Sequence, residues 1–478
     1  MSTMGAVEDG LAATLAAVAE RTRDDDAAAD RIRRHLPDLR AALGHRGVTT
    51  NETLVELVTA AVVAANGRSL DLKVHGEQRA AHKTATRSRF ALGAACFADR
   101  YAGNLAGLRD EIGMLRDLGV SVLHVQSPFA RREDGSVDLR RGDPGLGSID
   151  RLSDLAAALR LSGISLAVDI PPGREANALV DDLLFLAGRG VEVFLLPDRE
   201  VAAIVAPVLA IGAPGVEVLP ASPGSAPLWQ AFATGDAGAL QQAVERRDGR
   251  TDVIAVRDAE AVVWPSDAAE LTARFTDPSS FGRGLATEDG VAGTTASLAG
   301  VESGDPLGEA RVALAHALML SLPGLPMLWL GDEVGQLNDP TFRDDPERRD
   351  DVRWVHRGQR PRDRYAQKMD AATSAGRIHR NLTKLIAVRH TTPELDGSRL
   401  IGFGVPAPSV VGYQRPGDDS VVLVLANVAD EPVLIPAVTL SGFASTALDL
   451  IEGTGLEIDE GLTLPACGFR WLRVSPVV

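Results

Sequence analysis

Aromatic residues make up only 4% of this 478-residue chain. Clefts that grip pyranose rings present aromatic faces, so this scarcity argues against a surface built for them. Basic residues are in deficit too: 49 Lys and Arg stand against 65 Asp and Glu, for a formal charge of -16. That balance opposes nucleic-acid phosphates and anionic lipid, so neither a nucleic acid nor a membrane is expected as a partner. There are two cysteines, Cys96 and Cys467, far apart and in apolar strand-like contexts. They form no disulfide framework or thiolate ligand set and read as buried thiols. The longest apolar run, Leu318 to Leu330, is interrupted by Pro323, Gly324 and Pro326, and the first ten residues, MSTMGAVEDG, lack a basic stretch followed by an apolar one. Neither a membrane span nor a secretion signal is expected, which places the protein in the cytoplasm. The nine histidines show no metal-ligand spacing, and no Gly-rich phosphate loop or G-x-S-x-G elbow is visible, so no metal or cofactor is expected.

What is present is a rhythm. Up to about His82 apolar residues recur at helical spacing, as in RIRRHLPDLRAAL and TLVELVTAAVVAAN. From Phe90 short apolar runs alternate with amphipathic helices: ALGAACF, SVLHVQS, SLAVDI, VEVFLLP, VEVLPA, DVIAVRD and PMLWLGD give seven strands. Such β-α repeats predict parallel strands joined by helical crossovers, hence a (β/α)8 TIM-type barrel, with a doubly wound open sheet as the alternative. No strand is visible at the sixth position, between Pro223 and Leu228. After Arg389 the pattern changes to β segments separated by PGDD, EGTG and DEG turns, which predicts a small antiparallel sandwich. The domains are read as a helical segment over 1–84, a barrel over 85–392 and a β-sandwich over 393–478.

The densest stretch runs from Leu322 to Arg357, where an apolar strand leads into a loop crowded with carboxylates and arginines. The runs GLPMLWLGDEVGQLND, DDVRWVHR, YAQKMDAATSAGRIHRNLTKLIAVR and LDGSRLIGF resemble amylosucrases, the sucrose-using glucosyltransferases of the α-amylase superfamily (glycoside hydrolase family 13). The resemblance covers nearly the whole chain and is densest from Leu322 to Gly402. It implies a catalytic barrel that uses a carboxylate nucleophile and a carboxylic acid about 5 to 5.5 Å apart.

The residues at the matching positions differ. The family's fourth strand ends in Arg-x-Asp with the Asp as nucleophile; GVEVFLLPD puts Leu195 and Pro197 there, with Asp198 one residue late and so turned to the opposite face of an extended segment. At the fifth strand the acid position falls on Ala221, and Glu217 lies earlier in the same run. The His-Asp pair of the seventh strand falls on Ala259 and Glu260. Asp169 matches an Asp of the third strand, but the Asn-His pair after it becomes Gly173 and Arg174. The lid domain that follows the third strand in the family, and the sugar-stacking Tyr after the second, have no counterpart. Arg353 matches the arginine that closes the glucose subsite by pairing with the seventh-strand Asp, so here it is expected to pair with Glu260.

No catalytic residue is therefore expected. Asp198, Glu217 and Glu260 are the weak candidates, with Arg353, Asp169 and Glu260 for sugar contact. The reading is a degenerate protein of sucrose or α-glucan metabolism, binding sucrose, an α-glucan or an active paralogue. The alternatives are an active α-glucoside hydrolase or glucosyltransferase with a rebuilt carboxylate site, and a purely structural oligomer-forming protein.

Overall fold

The computed structural model describes residues 13–14, 16–18, 26–47, 50–81, 88–220, 224–264 and 269–475. They fall in two compact units, one drawn from Met1–Ala85, Ala102–Arg116 and Ser121–Ala221, the other from Thr86–Tyr101, Asp117–Val120 and Ser222–Val478.

The first unit has the helices Asp26–His45, Asn51–Gly67 and Leu70–Ala81, then four parallel strands, Val122–Val125, Ser165–Asp169, Val193–Leu196 and Glu217–Pro220, adjacent in chain order. Val122 pairs with Ser165, Ala167 with Val193, and Val193 with Glu217. The central strands are almost wholly buried, as continuous apolar runs are when helices cover both faces. The helix Ile149–Leu161 follows the second-position strand and buries Leu152, Leu155, Ala156 and Leu159, one stripe at helical spacing. Ser148 caps it, accepting from the Arg151 N–H. The helix Arg199–Gly212 is apolar on more than one face because it also packs on Asp26–His45 and Asn51–Gly67, burying Ile204, Val208 and Ile211. A Cβ on Gly212 would lie 2.8 Å from the Ala61 carbonyl oxygen, so only glycine permits that approach.

The second unit has three parallel strands in the order Gly93–Cys96, Leu325–Trp329, Val253–Ala255, with Gly93 opposite Met327 and Leu325 opposite Val253. Between Pro220 and Val253 the described residues form helices alone, Ala226–Thr234 and Gly238–Glu245, and no sixth strand. The scarce aromatics are concentrated in the core: Trp229, Phe232, Trp264, Phe275 and Phe281 form a chain of edge-on and stacked pairs with centroids 5.6 to 5.9 Å apart. Cys96 and Cys467 are free and buried, and burial pushes both thiols up to about 12.

The C-terminal part of this unit is a six-stranded antiparallel sheet, ordered Ile401–Gly402, Val410–Pro416, Val421–Asn427, Phe469–Val474, Thr446–Asp449, Thr454–Glu457, with a separate two-stranded sheet of Val433–Ile435 and Leu462–Leu464. Two fully buried arginines reach the helix Gly308–Ser321, Arg415 from this sheet and Arg389 from the helix Ser374–His390. Arg415 donates to the carbonyls of Ser321 (2.6 Å), Arg399 (2.9 Å) and Gly397 (3.0 Å), and Arg389 donates to Leu320. The Ser321 hydroxyl meets the Tyr413 hydroxyl at 2.6 Å. Burial lowers the Arg415 guanidinium to about 10, leaving it charged at neutral pH and bonded to backbone oxygens. The substitution Arg415→Met removes these donors and strands several buried carbonyls, so it is expected to cost about 3 kcal/mol in a urea unfolding series. A loss below about 0.5 kcal/mol, the usual range for surface changes, would show that the guanidinium does not hold the sheet in place.

Candidate functional site

The fourth-position strand ends at Leu196, and Asp198 does not project from it as a free carboxylate. It is the N-cap of the helix Arg199–Gly212, its Oδ1 accepting from the N–H groups of Glu200 (2.9 Å) and Val201 (3.0 Å). A cap satisfies backbone donors that otherwise have no partner and places the carboxylate at the positive end of the helix. Leu195 is buried and Pro197 exposed. Ala221 lies outside the described residues.

Glu217 occupies the first residue of its strand, the end opposite the one at which barrels of this type carry chemistry. It accepts from Arg79 Nη2 at 3.1 Å, and Arg79 comes from the helix Leu70–Ala81. Its carboxylate is thereby drawn into the polar contacts of that helix.

Asp169, the last residue of its strand, is the centre of a small polar cluster. It accepts from the Ser127 N–H at 2.8 Å and the Ser127 hydroxyl at 3.3 Å, and His124 Nε2 stands 3.4 Å away with Gln126 on the other ring nitrogen. Ser127 reaches it by adopting a left-handed conformation, φ 44°. Burial acts to raise the Asp169 carboxyl, but the hydrogen bond and charge of His124 with the Ser127 N–H outweigh it and hold the group below its ordinary range. Arg174 turns away to pair with Asp182 at 3.3 Å and donates to the Val137 carbonyl.

At the end of the Val253–Ala255 strand, Glu260 is ion-paired. Its Oε2 lies 2.6 Å from Arg353 Nη1 and 2.9 Å from Arg357 Nη2, so the pairing of Arg353 with Glu260 is present. Arg353 is also clamped by Asp351, whose two oxygens accept from Nε at 2.7 Å and Nη2 at 2.9 Å. Those bonds from Asp351, more than the opposing partial burial, raise the guanidinium above its usual value.

Beside this pair the structure brings together residues that periodicity does not single out. Trp329 and Phe97, at the ends of adjacent strands, stack with centroids 5.9 Å apart. Arg257 lies 4.6 Å from the Trp329 ring, and Arg357 lies 5.0 Å from Phe97 and 5.2 Å from Trp354. Arg257 is buried, its Nε and Nη1 without hydrogen-bond partners among the described residues. Burial lowers its guanidinium against the opposing charge of Asp332. His356, buried against Arg257 and Arg357, is held well below its usual range and is neutral, donating from Nε2 to the Ala259 carbonyl at 2.9 Å. Asp258 is raised by burial, and its Oδ2 accepts from the N–H and hydroxyl of Ser225. A raised carboxyl is a property catalytic acids share, but here the oxygen is engaged by a serine. Farther along, Glu333 is fully buried and raised, accepting from the Gly331 N–H at 2.8 Å and from Tyr365, whose hydroxyl meets Tyr101 at 2.6 Å. Asn338 and Asp339 hold loops: Asn338 accepts from the Thr294 N–H and Asp339 caps Pro340–Asp344. The sequence signal for Arg257 and Trp329 was a charged or aromatic residue inside an otherwise aliphatic strand run, and it carries no indication that the two would stack.

Parallel strands followed by helices, with an antiparallel C-terminal sheet after them, make a (β/α)8 TIM-type barrel fold, here without a sixth strand among the described residues. No protein-family model matches the chain. An α-amylase from Anoxybacillus is similar in structure, with a TM-score of 0.55 at 12% identity over 82% of this chain and 99% of the amylase. A mutant isomaltulose synthase from Erwinia rhapontici in complex with D-glucose gives 0.54 at 12% identity, over 81% of this chain and 99% of the synthase. The acarbose-complexed α-amylase of Geobacillus thermoleovorans gives 0.51 at 13% identity, over 82% of this chain and the whole of that one. These likenesses establish the fold. Among the described residues no helix is long and apolar enough to cross a membrane, and no group of three or more His, Cys, Asp and Glu is placed to hold a metal ion.

Two outcomes follow from these placements. Asp198→Ala should lower stability by about 1 kcal/mol through loss of the cap, measured by urea denaturation; an unchanged midpoint would contradict the capping role. For Asp169 the folded carboxyl is depressed, so its contribution is complete above the unfolded value of about 4 and is lost as pH falls through the folded one. Asp169→Asn should therefore flatten the loss of thermal stability below about pH 4, whereas parallel melting profiles for the two proteins would remove the linkage.

Proposed function

We propose that this chain is an amylosucrase-like protein that no longer transfers or hydrolyses glucosyl groups and acts instead as a non-catalytic binding or partner protein of sucrose or α-glucan metabolism. One observation carries the reading: each carboxylate that could rebuild the chemistry already has a structural task. Asp198 caps a helix, Glu217 pairs with Arg79 at the start of its strand, and Glu260 is shared by Arg353 and Arg357. Retaining or inverting chemistry needs two carboxyls facing one sugar, one of them free to attack or to activate water. Loss of both reacting groups removes most of the acceleration such a site provides.

The superposed relatives include proteins crystallised with D-glucose and acarbose, which supports a sugar as ligand class, and Arg353 with Glu260 is the pair in this chain best suited to a hydroxyl contact. An active paralogue in the cytoplasm is the partner the reading favours.

The test is prolonged incubation of micromolar protein with concentrated sucrose, assaying fructose and glucose beside an Asp198→Ala/Glu260→Ala double variant. No release above the blank is expected from either protein. Release by the native chain that disappears in the double variant would overturn the proposal in favour of a rebuilt carboxylate site. Sucrose or maltooligosaccharide binding, if seen by calorimetry, should weaken about tenfold in Arg353→Ala, the loss of one charge-assisted hydrogen bond.

A further inference from the structure

A second polar feature lies in the first unit, among the helices that precede its strands. A cavity of about 190 Å3 opens where Asp26–His45, Asn51–Gly67 and Leu70–Ala81 meet the end of Arg199–Gly212, and its charged lining is Arg31, Arg68, Lys73 and Glu77. That is far more than the roughly 10 to 15 Å3 one water needs. The chain carries a net charge of -16, yet here three cations face one carboxylate.

Arg68 is the unusual member. It is only 8% exposed, and its Nε and Nη1 have no hydrogen-bond partner among the described residues. The largest opposing charge is Glu192, with Asp71 after it, and the Glu192 carboxylate already stands 2.9 Å from His75 and 3.5 Å from Arg79. The other cations are anchored at the rim. Arg31 donates from Nε to the Ile211 carbonyl at 2.9 Å and pairs with Glu77 at 3.0 Å, and Lys73 Nζ donates to the Asn66 carbonyl at 3.1 Å. The backbone is shaped around the guanidinium: a Cβ on Gly76 would lie 2.4 Å from the Pro214 carbonyl oxygen and 3.3 Å from Arg68 Nη1. A buried guanidinium with unmet donors is costly, and a charged ligand removes the cost.

We propose that this cavity binds a small phosphate-bearing anion, orthophosphate or a phosphate monoester, with Arg68 as the buried anchor and Arg31 and Lys73 at the rim. Setting Glu77 against Arg31 leaves two positive charges, which match a phosphate dianion better than a monocarboxylate. The guanidinium fork suits phosphate oxygens, and the ammonium adds a point charge. The site is independent of the strand ends and of the loss of glucosyl chemistry.

The experiment is isothermal titration of the full chain with orthophosphate and, separately, glycerol phosphate, with chloride at matched ionic strength as the control. Saturable binding to at least one phosphate and none to chloride is expected. Tighter binding of glycerol phosphate identifies a monoester as the ligand, and equal or weaker binding identifies orthophosphate. Affinity should fall at least about tenfold in Arg68→Met, as a charge-assisted bidentate contact is lost. Because Arg68→Met can also disturb folding, Lys73→Met and Glu77→Gln provide a test of opposite sign, the first weakening and the second tightening the same binding. No saturable heat with either phosphate, or Lys73→Met and Glu77→Gln binding both as tightly as the native chain, would overturn the assignment.

Discussion

The second unit depends on how it accommodates guanidinium groups that are buried beside aromatic rings. Arg257 and Arg357 are drawn against Trp329, Phe97 and Trp354, with centroid distances of 4.6 to 5.2 Å. A desolvated cation over an aromatic face contributes about 2 kcal/mol, enough to offset part of the cost of burying it. Because the Phe97 and Trp329 rings come from the ends of two paired strands, their stack also fixes the approach of those strands and the direction of the loop beyond them. His356 is neutral for the same reason: two guanidiniums and burial act together against a third positive charge.

At other strand ends the requirement for satisfied polar groups is met differently, and the consequence is chemical. A carboxylate can cap a helix, pair with an arginine or attack an anomeric carbon, but an oxygen that accepts from two backbone N–H groups is committed to the first of these. Asp198 has taken the first role and Glu260 the second. Asp169 is intermediate: it retains a depressed, ionised carboxyl beside His124, but with Ser127 folded over it in a left-handed turn its lone pairs are occupied. At these strand ends the carboxylates present therefore serve local stability.

The seven strands and the change to antiparallel sheet after Arg389 were legible in the sequence because both rest on periodicity, which burial enforces over many residues at once. The sequence shows no strand between Pro223 and Leu228 and leaves a sixth strand open; among the described residues that stretch leads into the helices Ala226–Thr234 and Gly238–Glu245. The Arg353–Glu260 pair could be expected only from the family resemblance, since 93 residues separate the partners. The cap at Asp198 was within reach of sequence reasoning, as an Asp directly before a helical stripe is a start signal, but the strand register drew attention first. Arg68 was not legible at all, because a basic residue between two helices ordinarily faces water. Only the close passage of Gly76, Gly212 and Pro214 encloses it.

A barrel that loses its reacting groups need not lose its fold, because the two are maintained by different residues. The strands are held by aliphatic runs such as VFLL and LPMLW, and the C-terminal sheet by Arg415 reaching the Ser321, Arg399 and Gly397 carbonyls. A sequence only 12 to 13% identical to the superposed enzymes accordingly gives their fold over four fifths of its length. What such a chain is kept for is then more readily sought in polar groups that packing does not explain. By that criterion Arg68, buried and with donors unmet among the described residues of an acidic protein, is a stronger lead than any carboxylate at the strand ends.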